Sequence, residues 1–145
     1  MKSVVELDIE LQQAKVAELF ADPMNNPKWM EDIDRIEPLN GKPGEPGSVY
    51  RLVPKKEGDL EFVATVVSRD LPTQVRLSLE TPSVSVSVTD KFISLSDQVT
   101  MLISEETFKF QGLFRKVFGF FARAAIKRAH RRHMESFKRF AESQR

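Results

Sequence analysis

The sequence predicts an α+β fold over residues 1–145, in which a curved seven-stranded antiparallel sheet wraps around a long C-terminal helix and two short helices follow the first strand. Short segments of alternating apolar and polar residues, separated by turn residues, predict the strands of an antiparallel meander. Apolar residues spaced three and four apart predict helices in two places, directly after the first strand and at the end of the chain. A length of 145 residues is typical of one domain.

The first strand and the two short helices are predicted within the first 32 residues. Residues 3–11 alternate between apolar and mostly charged side chains, which predicts a half-buried strand. Residues 12–22 place apolar side chains at i, i+3 and i+4, which predicts a short amphipathic helix. That helix should end before Pro23, because a residue that precedes proline avoids helical dihedral angles. Residues 23–32 are consistent with a second short helix or a turn.

The middle of the chain predicts the remaining six strands of the sheet. Ile33, Ile36 and Leu39 begin a strand, and residues 38–47 are so rich in glycine and proline that they predict an exposed loop. The register after residue 84 stays open, because Phe92 and Ile93 require opposite registers unless the strand carries a bulge. Five further strands are predicted at roughly 48–56, 60–69, 73–80, 84–95 and 98–110, with turn residues between them.

The end of the chain predicts one long helix, over residues 113–143, because it lacks proline and is rich in alanine, arginine, lysine and phenylalanine. Its apolar side should pack on the sheet, the only partner available. One helix cannot fill the concave side of a strongly twisted seven-stranded sheet, so we expect a hydrophobic ligand cavity between them. The predicted apolar stripe comprises Phe114, Val117, Phe118, Phe121, Ala125, Ala129, Phe137 and Phe140.

Composition excludes several kinds of chemistry. The chain has no cysteine, so it forms no disulfide, thiolate nucleophile or cysteine-ligated metal site. Its two histidines, His130 and His133, lie three residues apart, and a zinc site needs a third protein ligand. We therefore expect no metal. No glycine-rich nucleotide-binding motif, nucleophile elbow or zinc-protease motif is present, so we expect no cofactor.

The sequence predicts a cytoplasmic protein. Acidic residues interrupt the first eight positions, so no apolar signal core is present there. No segment reaches the roughly 18 uncharged apolar residues that a membrane-spanning helix needs.

Charge is divided unevenly along the chain. The formal total is +1, but residues from Lys109 onward include eleven Lys and Arg against two Asp and Glu. The C-terminal helix is therefore strongly basic, which is typical either of a solvated face that complements an acidic sheet or of contact with an anionic membrane surface. No nucleic-acid-binding motif is present, so we expect no nucleic-acid partner.

Two motifs resemble those of a known family. The segments Ala17–Asp22 and Pro27–Ile33 resemble a helix followed by a P-x-W motif, and Ala129–Glu142 is similar to the terminal helix of the same proteins. The resemblance is to the bacterial polyketide cyclase/dehydrase and lipid-transport-like family, within the superfamily of START domains and birch-pollen allergens (SRPBCC). It implies a helix-grip fold over the whole chain, a cavity for a small hydrophobic ligand and, in some members, an enzymatic activity.

Several candidate residues could line the expected cavity. Trp29 could stack on a ligand ring or anchor the short helices in the core. The Tyr50 hydroxyl could orient a ligand carbonyl, and His133 could present one polar group to the cavity. Apart from these roles, His130 and His133 are both interpreted as ordinary surface or boundary residues. The full set of predicted cavity residues is Trp29, Tyr50, Phe62, Leu77, Phe92, Met101, Phe118, Phe121, Ala125 and His133.

Three functions remain open at this point. The first is binding and transport of a small hydrophobic or amphipathic ligand, such as a lipid, polyketide or aromatic compound. The second is a cyclase or dehydratase, in which Tyr50, His133 or a cavity arginine would transfer a proton. The third is an interaction module that docks on a membrane, a partner protein or a second copy through the basic, phenylalanine-rich C-terminal helix.

Overall fold

The computed structural model describes residues 1–113 and 120–145, and for residues 120 and 121 the backbone alone. Within that part of the chain, α1 and α2 are separated by a 3-10 turn at Pro23–Asn25, and the C-terminal helix is α3. The helices are α1 (Gln13–Ala21), α2 (Asn26–Trp29) and α3 (Phe120–Glu142). The strands are β1 (Lys2–Ile9), β2 (Ile33–Asn40), β3 (Val49–Pro54), β4 (Phe62–Asp70), β5 (Gln74–Glu80), β6 (Val84–Ser96) and β7 (Val99–Phe110).

The strands form one seven-stranded sheet in the order β1-β7-β6-β5-β4-β3-β2. Every neighbouring pair is antiparallel. The last strand returns beside the first, so β1 and β2 are the two edges, and the segment with α1 and α2 carries the chain from one edge to the other. The predicted α+β architecture, with its curved antiparallel sheet and two short helices after β1, is confirmed.

Strand β2 is longer than the sequence predicted at its end. It continues to Asn40, so Pro38, assigned to the loop by its glycine- and proline-rich surroundings, pairs with Tyr50 in the sheet. An edge strand tolerates proline because one side of its backbone has no ladder to complete. The exposed loop therefore begins at Gly41.

The register of β6 shows which of the two side chains, Phe92 or Ile93, faces the core. Phe92 lies opposite Leu102 of β7, and both side chains are buried on the inner face of the sheet. Ile93 lies opposite Met101 on the outer face and is 40% exposed. The ladder between β6 and β7 is regular through this pair, and its irregularity falls between Ser94 and Ser96.

Helix α3 lies within the predicted range of 113–143, although Leu113 itself is in a turn and residues 114–119 are outside the described residues. Its most buried residues recur at spacings of four, three and four, at His130, Met134, Phe137 and Ala141. This stripe packs on β1, α1 and α2.

Four aromatic side chains join the helices to the sheet at one end of the fold. Phe20 of α1 stacks on Trp29 of α2 at 5.6 Å between ring centroids, and it meets Phe137 of α3 edge-on at 4.8 Å. Phe20 also contacts Phe92 of β6 at 5.6 Å. At this position the helices lie directly against the sheet, and Phe20 and Trp29 also form part of the boundary of the open space beside them.

Candidate ligand-binding cavity

A cavity lies between the inner face of strands β3 to β7 and the helices. Its empty space is about 720 Å³ when counted out to the solvent-open mouth. Most of its wall is apolar, because the inward positions of the alternating strands carry valine and leucine. The apolar wall residues are Phe20, Ala21, Pro23, Trp29, Met30, Leu52, Val66, Val75, Leu77, Leu79, Val88 and Met134.

Three polar side chains lie side by side on the sheet wall of this cavity, and we call Asp90, Ser104 and Glu106 the polar cluster. Asp90 of β6 is the register partner of Ser104 of β7. Ser104 and Glu106 are two residues apart on one strand, so both point to the same face. The strand register therefore places all three among the inward-facing valines. Asn26, Tyr50 and His133 complete the polar part of the wall.

Asp90 is the most unusual member of the polar cluster. It is fully buried, and neither carboxylate oxygen has a hydrogen-bond partner among the described residues. Burial raises the pKa of Asp90 to about 8, and the Glu106 carboxylate adds to the rise. The neighbouring Ser104 hydroxyl opposes it, although its position does not meet the geometry of a hydrogen bond to either oxygen. Leaving a buried polar group unpaired costs about 1–3 kcal/mol.

Glu106 has a raised pKa for the same reason. Burial moves the pKa of its carboxyl to about 7. Its Oε1 lies 3.4 Å from Nδ1 of His130. Two carboxyl groups of the cavity wall therefore titrate near neutral pH.

His130 connects the polar cluster to the first strand. Its Nε2 lies 2.9 Å from the Ser104 hydroxyl oxygen, and its Nδ1 lies 2.8 Å from the hydroxyl oxygen of Ser3. Burial, together with the charges of His133 and Arg131, lowers the pKa of His130 to about 4. The imidazole is therefore neutral at pH 7, with one nitrogen donating a hydrogen bond and the other accepting one.

Tyr50 and His133 lie elsewhere on the cavity wall. Burial raises the pKa of Tyr50 to about 12, with Asn26 opposing the rise, so its hydroxyl stays protonated. Burial also lowers the pKa of His133, while Asp32, whose Oδ1 is 3.8 Å from His133 Nε2, opposes that shift. Neither side chain brings a full positive charge to the wall at neutral pH.

The amino-acid sequence identifies the family of this chain. Residues 1–142 match the family model described as polyketide cyclase / dehydrase and lipid transport. The chain belongs to this family. No curated protein has a matching sequence.

Solved structures show the same fold as this family member. The Zhui aromatase/cyclase from Streptomyces sp. R1128 superposes with a TM-score of 0.78 at 15% identity, covering 98% of this chain and 93% of that one. A START superfamily protein from Mycobacterium smegmatis gives 0.74 at 15% identity, over 99% and 95% of the two chains. The protein Ara h 8.0201 gives 0.76 at 17% identity, over 99% and 98%. The predicted helix-grip fold and its family are confirmed.

Four of the predicted cavity residues of this family member lie on the cavity wall: Trp29, Tyr50, Leu77 and His133. Trp29 is 6% exposed and also packs edge-on against Phe137, so the two interpretations given to it, core anchor and cavity wall, describe one position. That a ligand contacts these side chains stays a prediction.

Four other predicted residues lie away from the cavity wall: Phe62, Phe92, Met101 and Ala125. Phe92 is covered by α1, whose Gln13 side chain donates to the Phe92 carbonyl oxygen at 2.8 Å. Phe62, the first residue of β4, is half-buried and packs against the core cluster that includes Ile33 and Ala64. Met101 faces outward, because its neighbour Leu102 faces inward and strand side chains alternate.

Ala125 is exposed rather than cavity-facing. The buried stripe of α3 passes through His130 and Met134, and stepping back four residues from His130 leads to Ile126. Ala125 is one position off that line, which is about 100° around the helix. Phe118 lies outside the described residues, and so does the side chain of Phe121.

The polar cluster and His130 were not identified from sequence. His130 is 2% exposed, so its interpretation as a surface or boundary residue is wrong. The alternation of β6 did contain a sign of the cluster: Val84, Val86, Val88 and Phe92 all face inward, and Asp90 occupies the same phase. An acidic residue at an inward position of an otherwise apolar strand is therefore the sequence pattern that indicates the polar cluster.

Four basic side chains of residues 131–145 pair with acids of the same chain. Such exposed pairs contribute only about 0–1 kcal/mol each, but they lower the free positive charge of this surface. Within the described part, the pairs are Arg131–Glu135, Lys138–Glu142, Arg139–Glu31 and Arg145–Glu10, at 3.7, 3.7, 3.8 and 3.1 Å. Contact with an anionic membrane or with a second copy stays a prediction.

Residues 1–113 and 120–145 contain neither a metal-ligating cluster nor a helix suited to crossing a membrane. No group of three or more His, Asp or Glu is arranged there to hold a metal ion. None of the helices in that part of the chain is both long and apolar enough to cross a lipid bilayer.

Proposed function

We propose that this protein binds a small, predominantly apolar molecule in the cavity between sheet and helices. The observation that supports the proposal most is the wall itself, an apolar surface that is open to solvent and carries a few converging polar side chains. Small-molecule sites in proteins have this composition, with apolar walls for affinity and a few polar groups for orientation. Each Å² of apolar ligand surface removed from water contributes about 25 cal/mol.

The family supports the same proposal. Its description names polyketide cyclase / dehydrase and lipid transport, two activities that act on small organic molecules. Release of the bound molecule elsewhere would make the protein a carrier.

A second candidate is an acid–base enzyme acting on the bound molecule. The observation that favours it is the pair of buried carboxyl groups, Asp90 with a pKa of about 8 and Glu106 with a pKa of about 7. Groups that titrate near the working pH exchange protons most effectively with a substrate. The version with a cavity arginine lacks support, because none of the described wall residues is arginine.

Ligand binding can be tested with two tryptophan variants on β5. Leu77→Trp places an indole in the cavity, whereas Arg76→Trp places the same side chain on the exposed outer face of the same strand. We expect the neutral dye Nile red to bind the unmodified protein and R76W alike, with an increase in fluorescence. We expect L77W to bind it at least about tenfold more weakly, a difference of about 1.4 kcal/mol.

Two results would count against the proposal. Equal dye affinity in L77W, with folding verified by circular dichroism, would place the dye outside the cavity. No binding of Nile red to the unmodified protein, together with no co-purified small molecule in native mass spectrometry, would remove the support for a ligand-binding role. Turnover is a separate question, addressed by incubating a bound molecule with protein and with Asp90→Asn protein.

A further inference from the structure

We propose that the cavity selects molecules whose polar end donates hydrogen bonds, above all a protonated amine, and that Asp90 and Glu106 bind that end. The inference rests on the proposed function and adds the chemical class of the ligand. It follows from the positions of the charged and polar groups around the cavity.

The cavity wall is acidic. Its titratable members are Asp90, Glu106, Tyr50 and His133, and neither lysine nor arginine is among the described wall residues. Strands β3, β4 and β5 each carry one arginine, and none of the three is among the wall residues. Arg69 of β4 shares the face of its register partner Val75, but it is exposed and its Nη1 donates to the Gly44 carbonyl oxygen at 3.2 Å. Arg76 alternates with Val75 and Leu77 and is exposed.

Arg51 is likewise turned away from the cavity. It alternates with the wall residues Tyr50 and Leu52, and its guanidinium pairs with Glu37 at 3.1 Å and Glu61 at 3.5 Å. A ligand carboxylate or phosphate therefore finds no fixed positive partner among the described wall residues.

The wall does offer free acceptors. Both carboxyl oxygens of Asp90 lack a hydrogen-bond partner among the described residues, although the side chain is fully buried and lines the cavity. Glu106 is a diagonal neighbour of Asp90 across the β6–β7 ladder, a relationship that separates Cα atoms by about 7–8 Å. An ammonium group placed between them would be within reach of both carboxyl groups.

The histidines do not supply a positive charge that would favour an anionic ligand. His130 faces Glu106 and Ser104 from α3, but its nitrogens are already engaged by Ser104 and by Ser3 of β1, and burial lowers its pKa to about 4. The pKa of His133, also on α3, is lowered by burial as well. Around the polar cluster, β1, β6, β7 and α3 thus contribute hydroxyl groups, carboxyl groups and neutral imidazoles.

An amine gains more than an alcohol in this environment. A hydrogen bond between an ammonium and a carboxylate is charge-assisted and about twice as strong as a neutral one. Forming it ionises a carboxyl group that is protonated in the free protein, so binding releases a proton at pH values below about 8. We therefore expect amine affinity to rise between about pH 6 and about pH 8, as Glu106 and Asp90 lose their protons.

The test uses three probes that share one apolar body: naphthylmethylamine, naphthylmethanol and naphthoate. Isothermal titration calorimetry at pH 7.5 should rank the amine tightest and naphthoate at least about tenfold weaker. Asp90→Asn should weaken the amine at least about fivefold and leave the alcohol within about twofold. Glu105→Gln is the matched control, since Glu105 precedes Glu106 on β7 and faces the opposite side of the sheet; it should change none of the three affinities.

The outcomes separate this inference from the proposed function. If the unmodified protein binds amine and naphthoate equally, or if D90N retains the amine preference, the inference is wrong and the binding function stands. If none of the three probes binds and Nile red does not bind either, both are wrong. Should D90N fail to fold, Glu106→Gln makes the same comparison, with the same loss of amine preference expected.

Discussion

The Nε2 atom of His130 lies 2.9 Å from the hydroxyl oxygen of Ser104, so the C-terminal helix is bonded directly to the polar cluster of the cavity. On its other side the same imidazole meets Ser3 at 2.8 Å. One histidine therefore connects α3 to two neighbouring strands, β1 and β7, beside the cavity. Helix position and cavity chemistry depend on the same three side chains.

Replacing Ser104 by alanine should destabilise the fold. The change leaves the buried Nε2 of His130 without its partner, and an unpaired buried group costs about 1–3 kcal/mol. Urea denaturation at pH 7 should show this loss in the free energy of unfolding. Ser85→Ala is the control, because the Ser85 hydroxyl bonds to Glu80 at 2.6 Å in an exposed position, where substitutions change stability by about 0.5 kcal/mol or less. Equal losses in the two variants would contradict a structural role for the His130 bond.

Stability should fall as the pH rises above about 6.5. The pKa of Asp90 is raised from about 3.9 in the unfolded chain to about 8 in the fold, so between these values the folded state holds a proton that the unfolded state has lost. Glu106, with a folded pKa of about 7, acts in the same direction. His130 acts oppositely, because its lowered pKa of about 4 makes stability increase with pH up to about 6.5.

Above about pH 6.5 the titration of Asp90 and Glu106 therefore determines how stability changes with pH. The lowered pKa of His133, like that of His130, affects stability mainly at lower pH. Each proton contributes up to about 1.4 kcal/mol per pH unit. Asp90→Asn removes one of them, so its free energy of unfolding should fall less steeply than that of the unmodified protein between about pH 6.5 and about pH 8. Denaturation curves collected across this range measure the difference, and parallel profiles would show that Asp90 ionises normally.

The sheet was predictable from sequence because its strands alternate. Val84, Val86 and Val88 fixed the inner face of β6, and the same phase continues to Phe92. What the sequence left undecided was Ile93, whose exposure follows from the continuous pairing of β6 with β7 rather than from any local preference. Pro38 was misassigned for a related reason: only the position of β2 at the sheet edge makes proline acceptable there.

The site was less predictable, since it depends on contacts between distant segments. Trp29 and Tyr50 could be proposed from their residue types, whereas the role of His130 depends on Ser3 and Ser104, which are 127 and 26 residues away in the chain. Ala125 shows that the buried face of a helix is also difficult to predict from sequence. A helix stripe defined by small residues is uncertain by one position, and one position turns a side chain from the interior to solvent.

Truncating Phe137 should show how much the aromatic junction, the contacts of Phe137 with Phe20 and Trp29, contributes to stability. Its ring is fully buried and contacts both Phe20 and Trp29, at 4.8 and 5.3 Å between centroids. Phe137→Ala should lower the free energy of unfolding by about 3–5 kcal/mol, as expected for a buried phenylalanine. Phe140→Ala, which removes a half-buried ring 6.4 Å from Phe137, should cost clearly less in the same thermal or chemical denaturation experiment. A similar loss for both would mean that the junction is not more tightly packed than its surroundings.

Gly44 holds the loop after β2 against the helical segment that forms part of the cavity wall. Its φ of +96° is unfavourable for other residues, and a Cβ at this position would lie 3.2 Å from Pro23 and 3.0 Å from Arg69. Gly58 has a nearly equal φ of +94° with nothing within 4 Å of such a Cβ, so Gly58→Ala measures the backbone cost alone. Both variants should lose about 1–2 kcal/mol from the left-handed conformation, and Gly44→Ala should lose measurably more in thermal denaturation. Because Pro23 lines the cavity, G44A should also weaken Nile red binding whereas G58A should not. Identical behaviour of the two variants would show that the approach of this loop to Pro23 supports neither the fold nor the cavity.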